Sequence, residues 1–207
     1  MLQYLHRIHS KSAPNLVLLH GYGSHMHDLF GLADYFPQFN IFALQAPHST
    51  GMGGYAWYSI QWDNGDKIIE PKEVAAAGAS VKAQYELIHQ EHGLTGPTVL
   101  GGFSQGAILS AQVMLHNPEF AQGYLLMSGY LLPQWNEVPA IEAPVLQTHG
   151  VQDPVIPFEW AERGAQKLQH LPNYQFESYA MGHSLNEPCL TSIQKFLGHW
   201  GNDASNK

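Results

Sequence analysis

Ser104 lies in the sequence Gly102-Phe103-Ser104-Gln105-Gly106, between an apolar run and a second apolar segment. A serine that joins a strand to a helix through such a tight turn displays its hydroxyl at the helix N-terminus. There the free N–H groups and the helix dipole favour developing negative charge. Glycine at the flanking positions avoids collisions with the neighbouring strand and helix. The pattern predicts a nucleophilic serine, and the alternative is a serine that only caps the helix.

A serine hydroxyl needs a general base, and that base needs a carboxylate that fixes its tautomer. With this kind of turn, the acid and the histidine follow the serine in that order along the chain. Asp153 follows an apolar run in VLQTHGVQDPVIP, and His183 follows the last such run in YAMGHSLNE. We predict Asp153 as the acid and His183 as the base, with Ser184 as a cap of the next helix. The alternatives are an Asx-turn residue for Asp153 and a residue beside a helix cap for His183.

Two backbone N–H groups that stabilise a tetrahedral oxyanion complete this machinery. One belongs to the residue after the nucleophile, Gln105, and the other to the loop after an early strand. The stretch LVLLHGYGS places Tyr22 in that loop. We predict Tyr22 and Gln105 as the donors. The alternative for the early loop is an ordinary connection that opens a helix near His27.

Strands and helices must alternate to bring these residues together. Short apolar runs that are typical of buried strands occur at 16–19, 41–44, 98–102, 124–128, 144–148 and 175–179. Apolar residues at helical spacing occur at Val74, Ala77, Val81, Tyr85 and Ile88, and again at Leu185, Cys189, Ile193, Leu197 and Trp200. Residues 108–115 are apolar on nearly every side, which predicts a central helix. The pattern predicts a single α/β domain over residues 1–207 with a mostly parallel sheet.

Residues 48–65 are rich in glycine and then in aromatic residues, and they show no clean periodicity. We expect a long ordered loop here. Its aromatic residues either supply one wall of an apolar acyl-binding groove or pack in the core, and the sequence leaves both open. The residues concerned are Tyr55, Trp57, Tyr58 and Trp62.

Composition excludes several classes of protein. The formal net charge is −8, from 17 acidic residues against 9 Lys and Arg, and no basic cluster is present, so we expect no nucleic-acid partner. No apolar run approaches the ~18 residues of a transmembrane helix. The N-terminus lacks the apolar core of a signal peptide, so we expect a cytoplasmic protein. Cys189 is the only cysteine, which excludes an internal disulfide and a thiolate metal cluster; its helical spacing predicts a buried position.

The quoted motifs together resemble the phospholipase/carboxylesterase branch of the α/β-hydrolases, which includes acyl-protein thioesterases and small bacterial carboxylesterases. The matching pieces are LLHGYGS, GGYAWYSI, VLGGFSQGA, LMSGYLL, THGVQDPVIP and YAMGHSLNEP, from about residue 16 to 190. The resemblance implies an α/β-hydrolase fold without a large lid domain and the same five roles for Ser104, Asp153, His183, Tyr22 and Gln105. Family members often dimerise, so a homodimer is possible. Tyr22 departs from the leucine that is common there, and the aromatic loop also differs, which affects substrate preference more than mechanism.

These features predict a serine carboxylesterase that hydrolyses acyl esters of small to medium chain length through an acyl-serine, without a metal ion or organic cofactor. The expected substrate is a small acyl ester or an acylated protein. Acyl-protein thioesterase or lysophospholipase activity is the alternative, because the same three residues serve all these reactions. A hydrolase fold that has lost catalysis and acts as a binding module is the alternative from another class.

Overall fold

A seven-stranded sheet lies at the centre of the computed structural model, which describes the backbone of residues 1–63 and 66–201 and their side chains except at 62, 63 and 66. The strands of this sheet are β1 (Tyr4–Arg7), β2 (Asn15–Leu19), β3 (Asn40–Leu44), β8 (Thr98–Phe103), β9 (Gly123–Met127), β10 (Val145–Gly150) and β11 (Tyr174–Tyr179). Their order is β1-β3-β2-β8-β9-β10-β11. β1 pairs with β3 in antiparallel register, and the other neighbours are parallel. The predicted mostly parallel sheet is therefore confirmed.

Helices cover both faces of the sheet. They are α1 (Met26–Phe30), α2 (Pro71–His92), α3 (Gln105–His116), α4 (Phe158–Leu168) and α5 (Glu187–Gly201). Apolar residues of α2, α3 and α4 form one buried cluster with one face of the sheet, and those of α1 and α5 form a second cluster with the other face. In β2, Val17 and Leu19 belong to the first cluster, while Leu16 and Leu18 belong to the second. This two-sided burial is why the strands read as continuous apolar runs.

The helix that follows Ser104 is the most deeply buried of the five helices described. Every residue of α3 from Gln105 to Leu115 is buried. The prediction of a central helix over 108–115 is confirmed. Among the described residues, no helix is both long and apolar enough to cross a bilayer.

The sequence pattern missed the edge strand and two small ribbons. β1 is only four residues long and partly exposed, so it lacks the apolar run that marks the other strands. The segment expected to be a loop contains the strands β4 (His48–Gly51) and β5 (Gly54–Ala56), which pair in one antiparallel ribbon. The strands β6 (Gln61–Asp63) and β7 (Asp66–Ile68) pair in a second. Strands of three or four residues are too short to show a period of two.

Candidate active site

Ser104 is the single residue between β8 and α3. Its backbone has φ 55° and ψ −116°, a conformation that side chains rarely adopt and that costs of order 1–3 kcal/mol. Its N–H donates to the carbonyl of Met127 on the neighbouring strand (2.9 Å), and its own carbonyl accepts from the N–H groups of Ala107 and Ile108 at 3.0 and 3.1 Å. These bonds hold the turn from both sides. The sharp strand-to-helix turn expected from the sequence is present.

The two glycines of the motif allow this turn because their surroundings leave no room for a side chain. A Cβ atom at Gly102 would lie 2.1 Å from the carbonyl oxygen of Gly106. A Cβ atom at Gly106 would lie 1.9 Å from the carbonyl oxygen of Leu19, on β2. Both contacts are to backbone, which cannot move aside as a flexible side chain can. Close packing of β8 against the first turn of α3 therefore requires glycine at 102, and close packing of that turn against β2 requires glycine at 106.

Asp153 follows β10, and its side chain is fully buried. Its Oδ1 accepts hydrogen bonds from the N–H groups of Val155 (2.8 Å) and Ile156 (2.9 Å). Its Oδ2 lies 2.7 Å from Nδ1 of His183, which is in the loop after β11. One oxygen closes an Asx turn, as the alternative interpretation stated, and the other faces the histidine. The turn fixes the direction in which the carboxylate presents Oδ2.

A second histidine, which the sequence analysis did not single out, lies against the same carboxylate. His149 is at the end of β10 and is completely buried. Its Nε2 lies 2.9 Å from the carbonyl oxygen of Ile156 and 3.5 Å from Oδ2 of Asp153. Burial lowers the pKa of His149, so the ring is neutral, and Nε2 carries the proton that it donates to Ile156. Its position four residues before Asp153 was the available signal.

Four of the five residues predicted to act in catalysis line one cavity of about 320 Å³, namely Tyr22, Ser104, Gln105 and His183. The fifth, Asp153, lies behind His183. Tyr22 follows β2, so each of these positions follows the carboxyl end of a parallel strand, and these ends meet at one edge of the sheet. The ring of His183 also packs against Phe103, with ring centroids 4.9 Å apart.

Gln105 is the first residue of α3, and its N–H therefore precedes the first hydrogen bond within the helix. Tyr22 lies between β2 and α1 and is half exposed. α1 begins at Met26, so the early loop also opens a helix near His27, as the alternative interpretation stated. Both N–H groups belong to residues that line the cavity beside Ser104.

The aromatic loop residues do not line this cavity where the structure describes them. Trp57 and Tyr58 are 2% and 1% exposed and belong to the core cluster that includes α2 and α3, so the groove-wall prediction is wrong for both. Tyr55 is partly buried and pairs with Ser24 through a backbone bridge. Trp62 lies outside the residues whose side chains are described. Aromatic rings of this size stabilise the core most when fully enclosed, which the sequence alone could not distinguish from a groove wall.

Other residues form the walls instead. The cavity beside Ser104 is also lined by Ile60, Lys67, Ile69, Ile108, Tyr130, Val155 and Ile156. A second cavity, of about 560 Å³, shares Lys67, Ile69 and Tyr130 with the first and continues to Leu131, Leu132 and Trp160. Burial lowers the pKa of Lys67 and raises that of Tyr130 to about 12. None of the shared residues belongs to a recognisable sequence motif, so the sequence gave no indication of this cavity wall.

The start of α5 is capped by a different residue from the one predicted. The side chain of Asn186 accepts a hydrogen bond from the N–H of Cys189 (3.0 Å), which is the geometry of an N-cap. Ser184 lies two residues too early for this role. Cys189 itself is 0% exposed, and burial raises the pKa of its thiol, so the prediction of a buried cysteine is confirmed.

The sequence as a whole matches the model of the phospholipase/carboxylesterase family over residues 6–201. The chain belongs to the phospholipase/carboxylesterase family. This confirms the resemblance found in the sequence. The family is one of hydrolases that act on ester bonds.

Individual relatives agree with the family assignment. Acyl-protein thioesterase 1 of Kluyveromyces lactis is 29% identical over 219 residues, which cover 92% of this chain and 95% of that protein. Acyl-protein thioesterase 1 of Gibberella zeae is 30% identical over 171 residues, covering 75% and 73%. The solved structure of an esterase called PE8 is similar with a TM-score of 0.83 and 28% identity, covering 96% of this chain and 99% of that one. A Bacillus cereus carboxylesterase, with a TM-score of 0.85 and 17% identity over 96% and 94%, shares the fold. The predicted α/β-hydrolase fold is thereby confirmed.

Proposed function

We propose that this phospholipase/carboxylesterase family member is a serine carboxylesterase that uses Ser104, His183 and Asp153 as nucleophile, base and acid. The observation that carries the proposal is the convergence of separate segments on one cavity. Ser104 and His183 line it together, and Asp153 lies 2.7 Å behind the histidine. The strained backbone of Ser104 supports the same role, because strain of this kind concentrates at functional sites.

The pairing with Asp153 defines how His183 works. With Oδ2 as acceptor, Nδ1 of His183 carries a proton and Nε2 is left unprotonated. Nε2 takes the proton of Ser104 as Oγ attacks the ester carbonyl carbon, and the carbonyl oxygen becomes an oxyanion. The imidazolium that forms is stabilised by the buried carboxylate. It then gives the proton to the leaving alcohol as the acyl-serine forms, and water repeats the sequence to release the acid.

The oxyanion is stabilised by the backbone N–H groups of Tyr22 and Gln105 in this proposal. The N–H of Gln105 lies at the N-terminus of α3, where the helix dipole adds to the effect. Such a donor is worth about 10²–10³ in kcat where it has been removed from other hydrolases. The acyl group has room in the adjoining cavities, whose shared wall of Ile69 and Tyr130 is largely apolar. This suits acyl chains of small to medium length.

Removal of acyl groups from proteins is the second candidate activity, and the names of the curated relatives favour it. A thioester passes through the same acyl-serine, with a thiol as the leaving group. Only the second activity requires that the mouth of the site admit the surface of a protein substrate. Comparison of one acyl chain presented as an oxygen ester and as a thioester on a cysteine peptide distinguishes the two activities.

We also propose that residues 1–207 act as one domain in the cytoplasm.

Hydrolysis of p-nitrophenyl esters of increasing acyl length tests the main proposal. The parent protein should turn over the short and medium esters, whereas Ser104→Ala should lose turnover and keep its circular dichroism spectrum. A fluorophosphonate probe should label the parent at Ser104. Unchanged hydrolysis by Ser104→Ala would refute the assignment, and an unlabelled parent with no turnover would favour the binding module.

A further inference from the structure

The two proposed oxyanion donors lie on elements that are far apart in sequence, and one segment bridges them. Tyr22 is in the loop after β2, and Gln105 begins α3. The bridging segment, residues 55–58, leads out of β5. It belongs to the aromatic stretch that does not line the cavity, so its aromatic residues need another explanation.

On one side, the bridging segment holds the loop both before and after Tyr22. The indole Nε1 of Trp57 donates to the carbonyl of His20 (2.8 Å), and the N–H of Gly23 donates to the carbonyl of Tyr55 (2.8 Å). The N–H of Tyr55 also donates to the carbonyl of Ser24 (2.8 Å). Residues 55 and 57 thus fix the Tyr22–Gly23 peptide group and the His20–Gly21 peptide group, which lies one residue before Tyr22.

The side chain of His20 secures the same loop from within. It is 1% exposed, and its Nδ1 lies 2.8 Å from the carbonyl oxygen of Gly21. Its Nε2 accepts the N–H of Ala46 (3.1 Å), so the proton is on Nδ1, which donates to Gly21. The ring also packs on Trp57, with centroids 5.4 Å apart. The ring of His20 therefore holds the Gly21 carbonyl, while the carbonyl of His20 itself is held by the indole of Trp57.

On its other side, the bridging segment holds Gln105. The N–H of Trp57 donates to Oε1 of Gln105 (2.9 Å), and Nε2 of Gln105 donates to the carbonyl of Tyr58 (2.8 Å). This pair of bonds is buried and uses both ends of the amide. A hydrophobic side chain of the same length would leave both partners unsatisfied.

We propose that Trp57 is a positioning residue that sets the separation of the two oxyanion donors, with the side chain of Gln105 as its counterpart. The inference rests on the proposed function. Trp57 connects the two elements directly, through its indole to the loop of Tyr22 and through its backbone to Gln105. Its burial excludes contact with substrate, so it acts through the N–H groups that it places. Loss of the indole donor lets the carbonyl of His20 and the following peptide shift.

Trp57→Phe tests this directly, because it removes the indole N–H and keeps an aromatic ring in the core. Misplacement of a donor by a fraction of an ångström should lower kcat about 10-fold to 100-fold and leave KM within about twofold. Trp135→Phe is the matched control. Trp135 is also buried, at 8% exposure, and its indole nitrogen has no hydrogen bond among the described residues. It should lose stability with kcat unchanged.

An alkyl trifluoromethyl ketone provides a readout that a purely structural role would not move. Ser104 Oγ adds to the ketone carbon, its proton passes to His183, and the carbonyl oxygen becomes an oxyanion held by the two donors. For Trp57→Phe, the inhibition constant should rise by the same factor as kcat/KM falls. Gln105→Met, which keeps its backbone N–H, provides a second variant if Trp57→Phe does not fold, and the same pattern is expected.

The proposal is overturned if a folded Trp57→Phe or Gln105→Met retains the kcat of the parent, or if KM rises while kcat and inhibitor affinity are unchanged. It is also overturned if Trp135→Phe shows the same loss. Absence of Ser104-dependent turnover in the parent protein would instead refute the proposed function.

Discussion

Replacement of Asp153 by asparagine isolates the proposed role of the acid, because it removes the charge with almost no change in shape. The two oxygens of Asp153 have different partners. Oδ1 accepts two backbone N–H groups, from Val155 and Ile156, and Oδ2 faces His183. An asparagine must place its oxygen on one side and its NH₂ group on the other. The chemistry of the site depends on which orientation wins.

The hydrogen bonds decide the orientation. If NH₂ faced Val155 and Ile156, one partly buried and one buried donor would lose their acceptor, at about 1–3 kcal/mol each, or about 2–6 kcal/mol together. The amide oxygen therefore stays in the Oδ1 position and NH₂ faces Nδ1 of His183. The histidine then carries its proton on Nε2 and cannot accept one from Ser104. Only the unfavourable orientation leaves His183 able to accept the proton. Since about 1.36 kcal/mol corresponds to a tenfold change, its low population should reduce kcat by about 30-fold to 10⁴-fold.

The assay is kcat for a p-nitrophenyl ester, measured on protein whose thermal unfolding shows a folded state. Asp34→Asn is the control, since Asp34 forms an ion pair with Arg7 (3.4 Å) while its side chain is 98% exposed. We expect no change in kcat for that variant. Turnover by Asp153→Asn within about fivefold of the parent, against the fall of at least about 30-fold derived above, would refute the tautomer argument.

Three further outcomes are expected. Gly106→Ala should lower the free energy of unfolding in urea by about 3 kcal/mol or more. The control Gly31→Ala, with φ −58° and open space around it, should leave this free energy unchanged or raise it by up to about 1 kcal/mol, and an equal effect of the two substitutions would contradict the close backbone approach at Gly106. Because burial lowers the pKa of His149, the unfolded chain binds this proton more tightly, and stability falls as the pH drops below about 6.5. His149→Gln should flatten that slope by up to about 1.4 kcal/mol per pH unit in urea titrations between about pH 5 and 7, and an unchanged slope would exclude this group as its source. Ser104→Gly should be more stable than Ser104→Ala by about 1 kcal/mol in the same measurement, since only glycine accepts φ 55° without strain, and the reverse order would contradict the strain.

The main sheet and the central helix could be predicted because elements that are buried on both faces have continuous apolar sequences. A run such as LVLL has no polar face, and a strand between two layers of helices needs none. The placement of Ser104 and Asp153 after buried strands was likewise predictable, whereas His183 follows β11, an edge strand that is partly exposed. The positions of these residues along the chain follow the order in which the strands of the sheet occur.

The aromatic segment could not be resolved in the same way. An aromatic residue such as Trp57 is typical of a groove wall, yet its hydrogen bonds go to His20 and Gln105, which lie 37 and 48 positions away. Contacts at such separations leave no local period. His149 escaped notice for a related reason, since a histidine within an apolar strand resembles any polar interruption until its partner is known.

The order of strands in the sheet also has a consequence for synthesis of the protein. From β2 onward across β8, β9, β10 and β11, each strand made later by the ribosome adds to the same growing edge. No strand has to be inserted between two that have already paired. Ser104 enters at β8, Asp153 at β10, and His183 only after β11 has docked. If His183 is the base that we propose, a nascent chain can assemble most of its sheet before Ser104 becomes reactive, and the onset of the proposed esterase activity would report that the final strand has joined.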